Sequence, residues 1–363
     1  MKSKAKKALK NVRNLTVLVI AIIFAFPANG QTCTCESNFE WVKKTFEEND
    51  AGFQHIIDKK GNAAYDTHNQ LIVEKIKATK TLTECTELLY EWLKFFRTGH
   101  VWIECLTNEA PVPQSLPQKN EGVHLEDLNA TTLYLRISSF DMNEKHAIDN
   151  VITANKDKIL KTENLIIDLR DNSGGAGVSF AELLPFLYTN PVRMANMEFL
   201  STKANNQFFL DLSTSTEYEF PEEMRQEIRR IAEKMQGRLG EFVNPDNEAI
   251  SISRRDTVYE YPKNVGIIIN EKNASITELF LLVAKQSKKV KLFGVTTSGA
   301  LDLSNMLFIE SPCKEFRLHY CMSRSLRIPD MAMDDIGIQP DFYLDKSIPQ
   351  YKWVEFVNDV LNQ

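Results

Sequence analysis

The chain has 363 residues, with 43 Lys or Arg, 49 Asp or Glu and a formal net charge of −6. Hydrophobic residues make up 43% of it, with 14 Gly and 13 Pro. This composition excludes a disordered, collagen-like or coiled-coil protein, and the length predicts about two folded domains. The acidic balance and the lack of a basic stripe argue against a nucleic-acid partner.

The first 30 residues differ in character from the rest of the chain. Their charged residues are all basic, namely Lys2, Lys4, Lys6, Lys7, Lys10 and Arg13. An apolar run over residues 15–26 follows, shorter than the about 20 residues that a membrane span needs. This pattern is typical of a secretory signal peptide cleaved near Gly30; an uncleaved amphipathic anchor is the alternative. We therefore expect an exported protein, periplasmic or extracellular, without an integral membrane span after cleavage.

Removing this segment leaves 37 basic and 49 acidic residues, a net charge of −12. Export would also place all six cysteines in an oxidising compartment, where they can pair in fifteen ways. They are Cys33, Cys35, Cys85, Cys105, Cys313 and Cys321. The spacing of the first two is not that of a zinc-binding pair, so we expect no structural metal.

Residues 31–108 are predicted to form a small helical domain. Apolar residues recur there every three or four positions between residues 37 and 96, and Gly99 is a typical helix-stop residue. A β-type run at 101–103 and a polar, Pro-containing loop at 108–120 then mark a domain boundary.

Residues 120–346 are predicted to form an α/β core with a largely parallel sheet, because strand and helix signals alternate. The expected strands are 132–137, 165–169, 265–269 and 291–294, and the expected helices are about 143–160, 179–188 and 277–288. Residues 197–261 are interpreted as an insertion or lid containing a charged helix at about 221–236, which is a plain surface helix in the alternative interpretation. Residues 347–363 are predicted to form a C-terminal helix.

Two turns in this core have the residues that a catalytic site requires. An apolar strand runs directly into Gly174 and Gly175, where backbone N–H groups can point at an anion. A second strand is followed by Ser275 and then an apolar helix, which places a hydroxyl at the positive end of that helix. The alternative is that Ser275 or Thr277 only caps the helix. The sequence lacks nucleotide-binding glycine motifs.

These segments resemble, in order, motifs of the C-terminal processing (tail-specific) serine peptidases. The matching segments are 134–140 with 166–175, then 273–278, 291–299 and 336–341. The resemblance covers about residues 95–344 and implies a crotonase/ClpP-like core that needs no cofactor. It implies that Ser275 is the nucleophile. It further implies an oxyanion hole formed by the backbone N–H of Gly174 or Gly175 together with that of Ile276.

The chain departs from the tail-specific pattern at several positions. Ala300 stands where those peptidases carry a catalytic lysine, and Thr98 replaces an acidic residue of many relatives. The stretch between residues 100 and 134 is also too short for their PDZ domain. The chain instead resembles the branch that includes the tricorn core and the interphotoreceptor retinoid-binding protein. That resemblance implies His100 as the base and Asp334 as the orienting acid, with Asp335 as the adjacent alternative.

The sequence therefore predicts a secreted serine peptidase that hydrolyses peptides or unfolded protein segments through a Ser-His-Asp triad and an acyl-enzyme. One alternative is a catalytically inactive peptide- or lipid-binding module on the same scaffold. A third hypothesis is a crotonase-type acyl-thioester enzyme. The predicted export argues against it, because coenzyme A chemistry is intracellular. The sequence predicts neither the cleavage specificity nor the oligomeric state.

Overall fold

The computed structural model describes residues 33–107, 122–215 and 222–363. The predicted signal peptide, its cleavage position and the boundary loop at 108–120 lie outside these ranges, so they stay predictions. None of the helices within the described ranges combines the length and the apolar character needed to cross a membrane.

The described chain begins with a helical region, as predicted. Its helices are α1 (Cys35–Asn49), α2 (Phe53–Lys60), α3 (Asn62–Ile76) and α4 (Leu82–Lys94). Thr34 and Thr81 start α1 and α4 with reciprocal capping boxes, which satisfy N–H groups that have no partner within the helix. The helices bury a group of large aromatic side chains: Phe39, Phe46, Trp92 and Phe96.

A six-stranded sheet forms the centre of the predicted α/β core. In spatial order its strands are β13 (Phe342–Tyr343), β10 (Val290–Gly294), β9 (Asn264–Ile269), β4 (Asn164–Asp168), β3 (Thr132–Ile137) and β2 (Val123–Asp127). All neighbours are parallel except β2, which pairs antiparallel with β3. The expected mixed α/β architecture is confirmed.

Helices cover both faces of this sheet, which explains why its strands are apolar on both sides. One face packs against α5 (Met142–Ala154), α6 (Lys156–Ile159), a 3₁₀ helix (Gly177–Leu183), α7 (Leu184–Leu187) and α10 (Ile276–Ala284). The other packs against the C-terminal α11 (Trp353–Leu361), which follows a 3₁₀ turn (Gln350–Lys352). A two-stranded ribbon of β5 (Val192–Ala195) and β8 (Ile250–Ser253) lies outside this sheet.

A second, antiparallel sheet was not foreseen from the sequence. Its strands are β1 (Trp102–Cys105), β12 (Phe316–Ser325), β6 (Met197–Leu200) and β7 (Phe242–Val243), with β11 (Leu303–Glu310) also paired to β12. Side chains of this sheet share one apolar core with the N-terminal helices. The N-terminal helices therefore do not form a separate core.

The segment interpreted as an insertion or lid contributes to the same core. It contains α8 (Lys203–Thr214) and α9 (Glu222–Met235) as well as β6 and β7. Helix α9 overlaps the charged helix predicted at 221–236. It buries Ile228, Ala232 and Met235 in the core that the N-terminal helices share with the antiparallel sheet. Charged residues of α9, among them Glu227 and Glu233, are exposed. Because its apolar residues are buried in this core, the segment is an integral part of the fold.

The six cysteines form two disulfides, so the structure has none of the fifteen complete pairings that the sequence allows. Cys33 bonds to Cys313, and Cys35 bonds to Cys85. The other two cysteines, Cys105 and Cys321, are free thiols. The first bond attaches the residues before α1 to the turn between β11 and β12, and the second attaches the start of α1 to α4.

We predict that replacing Cys35 and Cys85 together with Ala lowers the free energy of unfolding by about 2–4 kcal/mol, because the bond restricts the unfolded chain. Denaturant unfolding followed by circular dichroism measures the loss. The control is Cys105→Ser, which removes a free thiol and should leave the midpoint near the parent value. An unchanged midpoint in the double variant would contradict a stabilising disulfide.

Candidate active site

Ser275 occupies a constrained turn between strand β9 and helix α10. Its backbone has φ 56° and ψ −124°, a conformation that costs a non-glycine residue about 1–3 kcal/mol. Asn273 holds the turn: its amide donates to the carbonyls of Leu169 and Asn172 at 2.5 and 2.9 Å. The Ser275 N–H donates to the Ala300 carbonyl at 2.9 Å. The surrounding hydrogen bonds thus maintain an unfavourable backbone that presents Ser275 at the start of α10.

The glycine turn after β4 lies directly against Ser275. A Cβ on Gly174 would come within 2.9 Å of the Ser275 Cβ and 3.1 Å of the Ile276 nitrogen, so only glycine permits this approach. The Gly174 N–H already donates to Asn172 Oδ1 at 3.0 Å. Within the described ranges, the N–H groups of Gly175 and Ile276 donate no hydrogen bond. Of the two glycines predicted for the oxyanion hole, the geometry therefore favours Gly175.

His100 lies between the helical region and β1, where its backbone has φ 54°. Its Nδ1 is 2.6 Å from the Leu303 carbonyl oxygen. Since a carbonyl can only accept, Nδ1 carries the proton and Nε2 is left with its lone pair. The carbonyl of His100 accepts from Arg97, which forms a buried ion pair with Asp50. The imidazole is thus fixed in a tautomer suited to a general base.

Burial sets the protonation state of this imidazole. It lowers the pKa of His100 below its ordinary value, while the Leu303 carbonyl and the negative charge of Asp334 oppose that shift. Arg97 adds a further lowering effect on the same pKa. The net result is a neutral imidazole at neutral pH, which is the form that can accept a proton.

The structure does not place Asp334 on the imidazole as the sequence led us to expect. Its carboxylate accepts from the N–H groups of Leu301, Asp302 and Leu303 at 2.6, 2.7 and 3.1 Å. No hydrogen bond in the described chain joins it to His100. Asp334 is therefore connected to the imidazole only through Leu303. The Leu303 N–H donates to the Asp334 carboxylate, and the Leu303 carbonyl accepts from His100 Nδ1.

The alternative acid, Asp335, has a different partner. Its carboxylate accepts from the Thr98 hydroxyl at 2.9 Å, and its N–H donates to the Gly299 carbonyl. Thr98, which replaces the acidic residue of many relatives, thus ties the loop before His100 to the chain around Asp335. Neither aspartate hydrogen-bonds to the ring.

Glu278 is a residue of the site that sequence reasoning assigned only to the first turn of a helix. It is fully buried and accepts from the Thr297 hydroxyl at 2.5 Å. It also accepts from the N–H groups of Gly299 and Ala300, both at 2.8 Å. Burial raises the pKa of this carboxyl above its ordinary value, and these hydrogen bonds oppose the shift. The signal in the sequence was its position three residues after Ser275.

Residues 297–303, which we name the bridging segment, contact both predicted catalytic residues. Ala300 accepts the N–H of Ser275, and its Cβ lies 2.5 Å from where a Cβ on Gly99 would be. Leu303 accepts from His100. No hydrogen bond between the Ser275 hydroxyl and His100 is present in the described ranges. Ser275 and His100 thus both contact the bridging segment, but no hydrogen bond joins them to each other in the described ranges.

The bridging segment offers no lysine to replace the histidine. Ala300, where the sequence resemblance places the lysine of tail-specific peptidases, is buried against Gly99. The nearby Lys285 and Lys289 donate to backbone carbonyls of other loops. They are not bases for Ser275 in this arrangement.

The described residues contain a single group of Cys, Asp, Glu or His side chains with metal-binding spacing. It consists of Cys33, Cys313 and Glu315. Its two sulfur atoms are joined in a disulfide, so they cannot act as thiolate ligands.

Comparison with known proteins assigns the chain to a family. The family model described as peptidase family S41 matches residues 131–344, more than half of the chain. The chain belongs to peptidase family S41. The family relationship that the ordered motifs predicted is thereby confirmed, and the protein is a serine-type peptidase by membership.

Solved structures agree with this assignment at the level of the fold. A putative peptidase from Parabacteroides merdae is 15% identical, with a TM-score of 0.57 over 91% of this chain and 98% of its own. A lipoprotein from Streptococcus agalactiae is 18% identical, with a TM-score of 0.50 over 91% and 96%. The photosystem II D1 C-terminal processing protease is 15% identical over 73% and 53%, and its TM-score of 0.38 is too low for further conclusions. No curated protein matches the sequence.

We predict that Glu278→Gln lowers the free energy of unfolding by about 1–3 kcal/mol, because an amide in place of the carboxylate leaves a buried N–H without an acceptor. Thermal and denaturant unfolding measure the effect. Glu271→Gln, an exposed change in the turn before Ser275, is the matched control and should leave stability unchanged. Equal stability of both variants would contradict a structural role for the Glu278 carboxylate.

Proposed function

We propose that this protein is an exported serine peptidase that hydrolyses peptides or unfolded protein segments, with Ser275 as nucleophile and His100 as general base and acid. The main support is the backbone of Ser275. Ser275 has a positive φ at the turn between a buried strand and a helix, and the glycine turn after β4 lies against it. The N–H groups of Gly175 and Ile276 in these two turns donate no hydrogen bond in the described ranges, so they can serve the oxyanion that acyl transfer produces.

In the first step, the Ser275 oxygen attacks the carbonyl carbon of the scissile peptide bond, and His100 Nε2 takes the hydroxyl proton. The carbonyl oxygen becomes negatively charged in the tetrahedral intermediate. The N–H groups of Gly175 and Ile276 donate to this oxygen, with the N-terminus of α10 adding favourable electrostatic potential. The protonated imidazole keeps its Nδ1–H bond to Leu303.

In the second step, the C–N bond breaks and His100 gives the proton to the leaving amine. This leaves an ester between Ser275 and the acyl part of the substrate. Water then attacks the ester while the neutral imidazole takes one of its protons. The second tetrahedral intermediate collapses to release the acid and restore the serine hydroxyl. The steps balance without an organic cofactor or a metal ion.

Asp334 has an indirect role in this proposal. Its carboxylate fixes the N–H groups of the bridging segment, so it positions the Leu303 carbonyl that orients the imidazole. Its negative charge also raises the pKa of His100 against the effect of burial. Asp334 is thus a positioning residue that stabilises the imidazolium electrostatically.

The exported location rests on two independent features. The basic and apolar start of the chain has the pattern of a secretory signal. Two disulfides link Cys33 to Cys313 and Cys35 to Cys85, and such bonds persist in oxidising compartments. Both features favour a periplasmic or extracellular peptidase.

A catalytically inactive peptide- or lipid-binding module is the second candidate. The observation that favours it is the lack of a hydrogen bond between Ser275 and His100 in the described chain. We favour catalysis because such bonds are often long before substrate binds and tighten in the complex. The tautomer of His100 and the unoccupied N–H pair have no evident use in a binding module.

We predict that Ser275→Ala abolishes both hydrolysis of a fluorogenic peptide library and labelling by a fluorophosphonate probe, because the attacking oxygen is removed. The parent protein should show both activities. Ser253→Ala, a change of an exposed serine on β8, is the control and should retain them. Unchanged hydrolysis by Ser275→Ala would contradict the assignment of the nucleophile, and an inactive, unlabelled parent protein would favour the binding module.

The pH dependence should reveal the environment of His100. Only the neutral imidazole accepts the serine proton, and its pKa is lowered, so kcat/KM should fall only when the pH drops below the ordinary histidine value of about 6.5. In Asp334→Asn the loss of a negative charge should move this acidic limb to still lower pH, and kcat should fall. A limb that moves to higher pH would contradict the electrostatic role of Asp334.

A further inference from the structure

The antiparallel sheet carries aromatic side chains on its exposed face. Strand pairing aligns Trp102 with His319 and His319 with Phe308, so that the three side chains form a row across β1, β12 and β11. The rings of Trp102 and His319 stack with centroids 4.1 Å apart and planes at 17°. Phe308 adjoins the same imidazole at 5.6 Å. We name these three residues the aromatic row.

The aromatic row is not part of the protein core. Trp102 is 41% exposed and Phe308 is 47% exposed. The alternate residues of the same strands, Ile103, Leu307 and Leu318, point the other way and are buried with the N-terminal helices. The solvated face of an antiparallel sheet is normally polar, and a group of exposed rings there indicates a binding surface.

Two strands connect the aromatic row with the backbone of His100. Trp102 lies two residues after His100, a separation of about 7 Å along an extended chain. On the neighbouring strand, Cys321 lies two residues after His319, and its thiol donates to the His100 carbonyl at 3.3 Å. On each of these two strands, the aromatic row therefore lies two residues from a position at or beside the predicted base, His100.

On its other side the aromatic row is bounded by one cation and two carboxylates, which together carry one net negative charge. Arg317 bonds to Glu104 at 3.2 Å and to Glu310 at 2.8 Å, again across the three strands. Because this cation already has two carboxylate partners, it offers no free positive charge to an acidic ligand, and the net negative charge repels one. The surface suits a chain with an uncharged, flat side chain near the site.

We propose that Trp102, His319 and Phe308 form a subsite that binds an aromatic side chain of the polypeptide substrate at least two residues from the scissile bond. This inference rests on the proposed function, since it takes the substrate to be a polypeptide. An aromatic ring of the substrate stacks on Trp102 or meets the edge of Phe308, and it removes apolar surface from water. Unfolded segments expose such side chains, whereas folded proteins bury them.

The test measures binding in the Ser275→Ala background, where no hydrolysis occurs. The probes are two fluorescein-labelled twelve-residue peptides of alternating Ala and Gln, identical except for Phe or Ser at the sixth residue. Fluorescence anisotropy gives their dissociation constants. We expect the Phe peptide to bind about fivefold to tenfold more tightly, in line with the strength of aromatic pairs.

Adding Trp102→Ala or Phe308→Ala should bring the two dissociation constants close together. Trp102→Phe keeps a ring and should retain most of the preference. Tyr351→Ala is the control, because Tyr351 is 80% exposed but lies beside α11, on a different layer. Thermal unfolding should show all these variants folded, since the altered side chains are exposed.

A Phe preference that persists in both alanine variants would overturn the subsite. So would a dimer in sedimentation velocity that both variants dissociate, because the row would then be an interface between copies of the chain. Failure of the proposed function is distinguishable: the parent protein would not hydrolyse peptides, while the Phe preference and its loss in the variants would remain. Conversely, hydrolysis without a Phe preference would leave the peptidase intact and refute the subsite.

Discussion

Two carboxylates, the buried Glu278 and the half-buried Asp334, hold the bridging segment, and the geometry of the site depends on them. Glu278 binds the N–H groups of Gly299 and Ala300, and Asp334 binds those of residues 301–303. Five successive N–H groups are thus satisfied by side chains instead of by regular secondary structure. A carboxylate that accepts several such bonds is a strong local constraint, because each bond to a charged group contributes about 1.5–3 kcal/mol. The carbonyls of this segment are consequently fixed where they meet Ser275 and His100.

The bridging segment connects the parallel α/β core with the antiparallel sheet and its N-terminal helices. Ser275 and Glu278 belong to the parallel sheet and its helices, whereas His100 follows the N-terminal helices that pack on the antiparallel sheet. On the His100 side, the buried pair of Arg97 and Asp50 fixes the backbone at the end of the helical region. A buried pair of this kind is costly to break, since it leaves an unpaired charge. The site is therefore supported by ionic groups on both sides.

Most of the parallel core could be predicted from the sequence, because its strands are buried on both faces and appear as short, uninterrupted apolar runs. Ser275 was identifiable for a local reason, since the strand, the turn and the helix are contiguous. The antiparallel sheet was missed although β12 alternates buried and partly exposed residues from Phe316 to Tyr320, a period-two signal. Strands β6 and β7 have only four and two residues and provide no periodicity.

The partners of the acidic residues could not be read from the sequence. Glu278 and Asp334 bind backbone N–H groups of a segment 21 to 33 positions away, and a backbone N–H has no sequence signature. The expectation that Asp334 touches the imidazole followed from the resemblance, and the structure inserts Leu303 between them. Similarly, Gly174 and Gly175 are equivalent in the sequence, and only the bond from Gly174 to Asn172 separates their roles.

The division of the site between distant parts of the chain has a consequence for biosynthesis. His100 and Ser275 are 175 positions apart, and neither is near the other until both layers have formed and the bridging segment is in place. Under the proposed roles of the two residues, a nascent or unfolded chain carries a serine without a base, and its hydroxyl is as unreactive as any other. Hydrolytic capacity would then arise only upon completion of folding, which spares neighbouring polypeptides during synthesis.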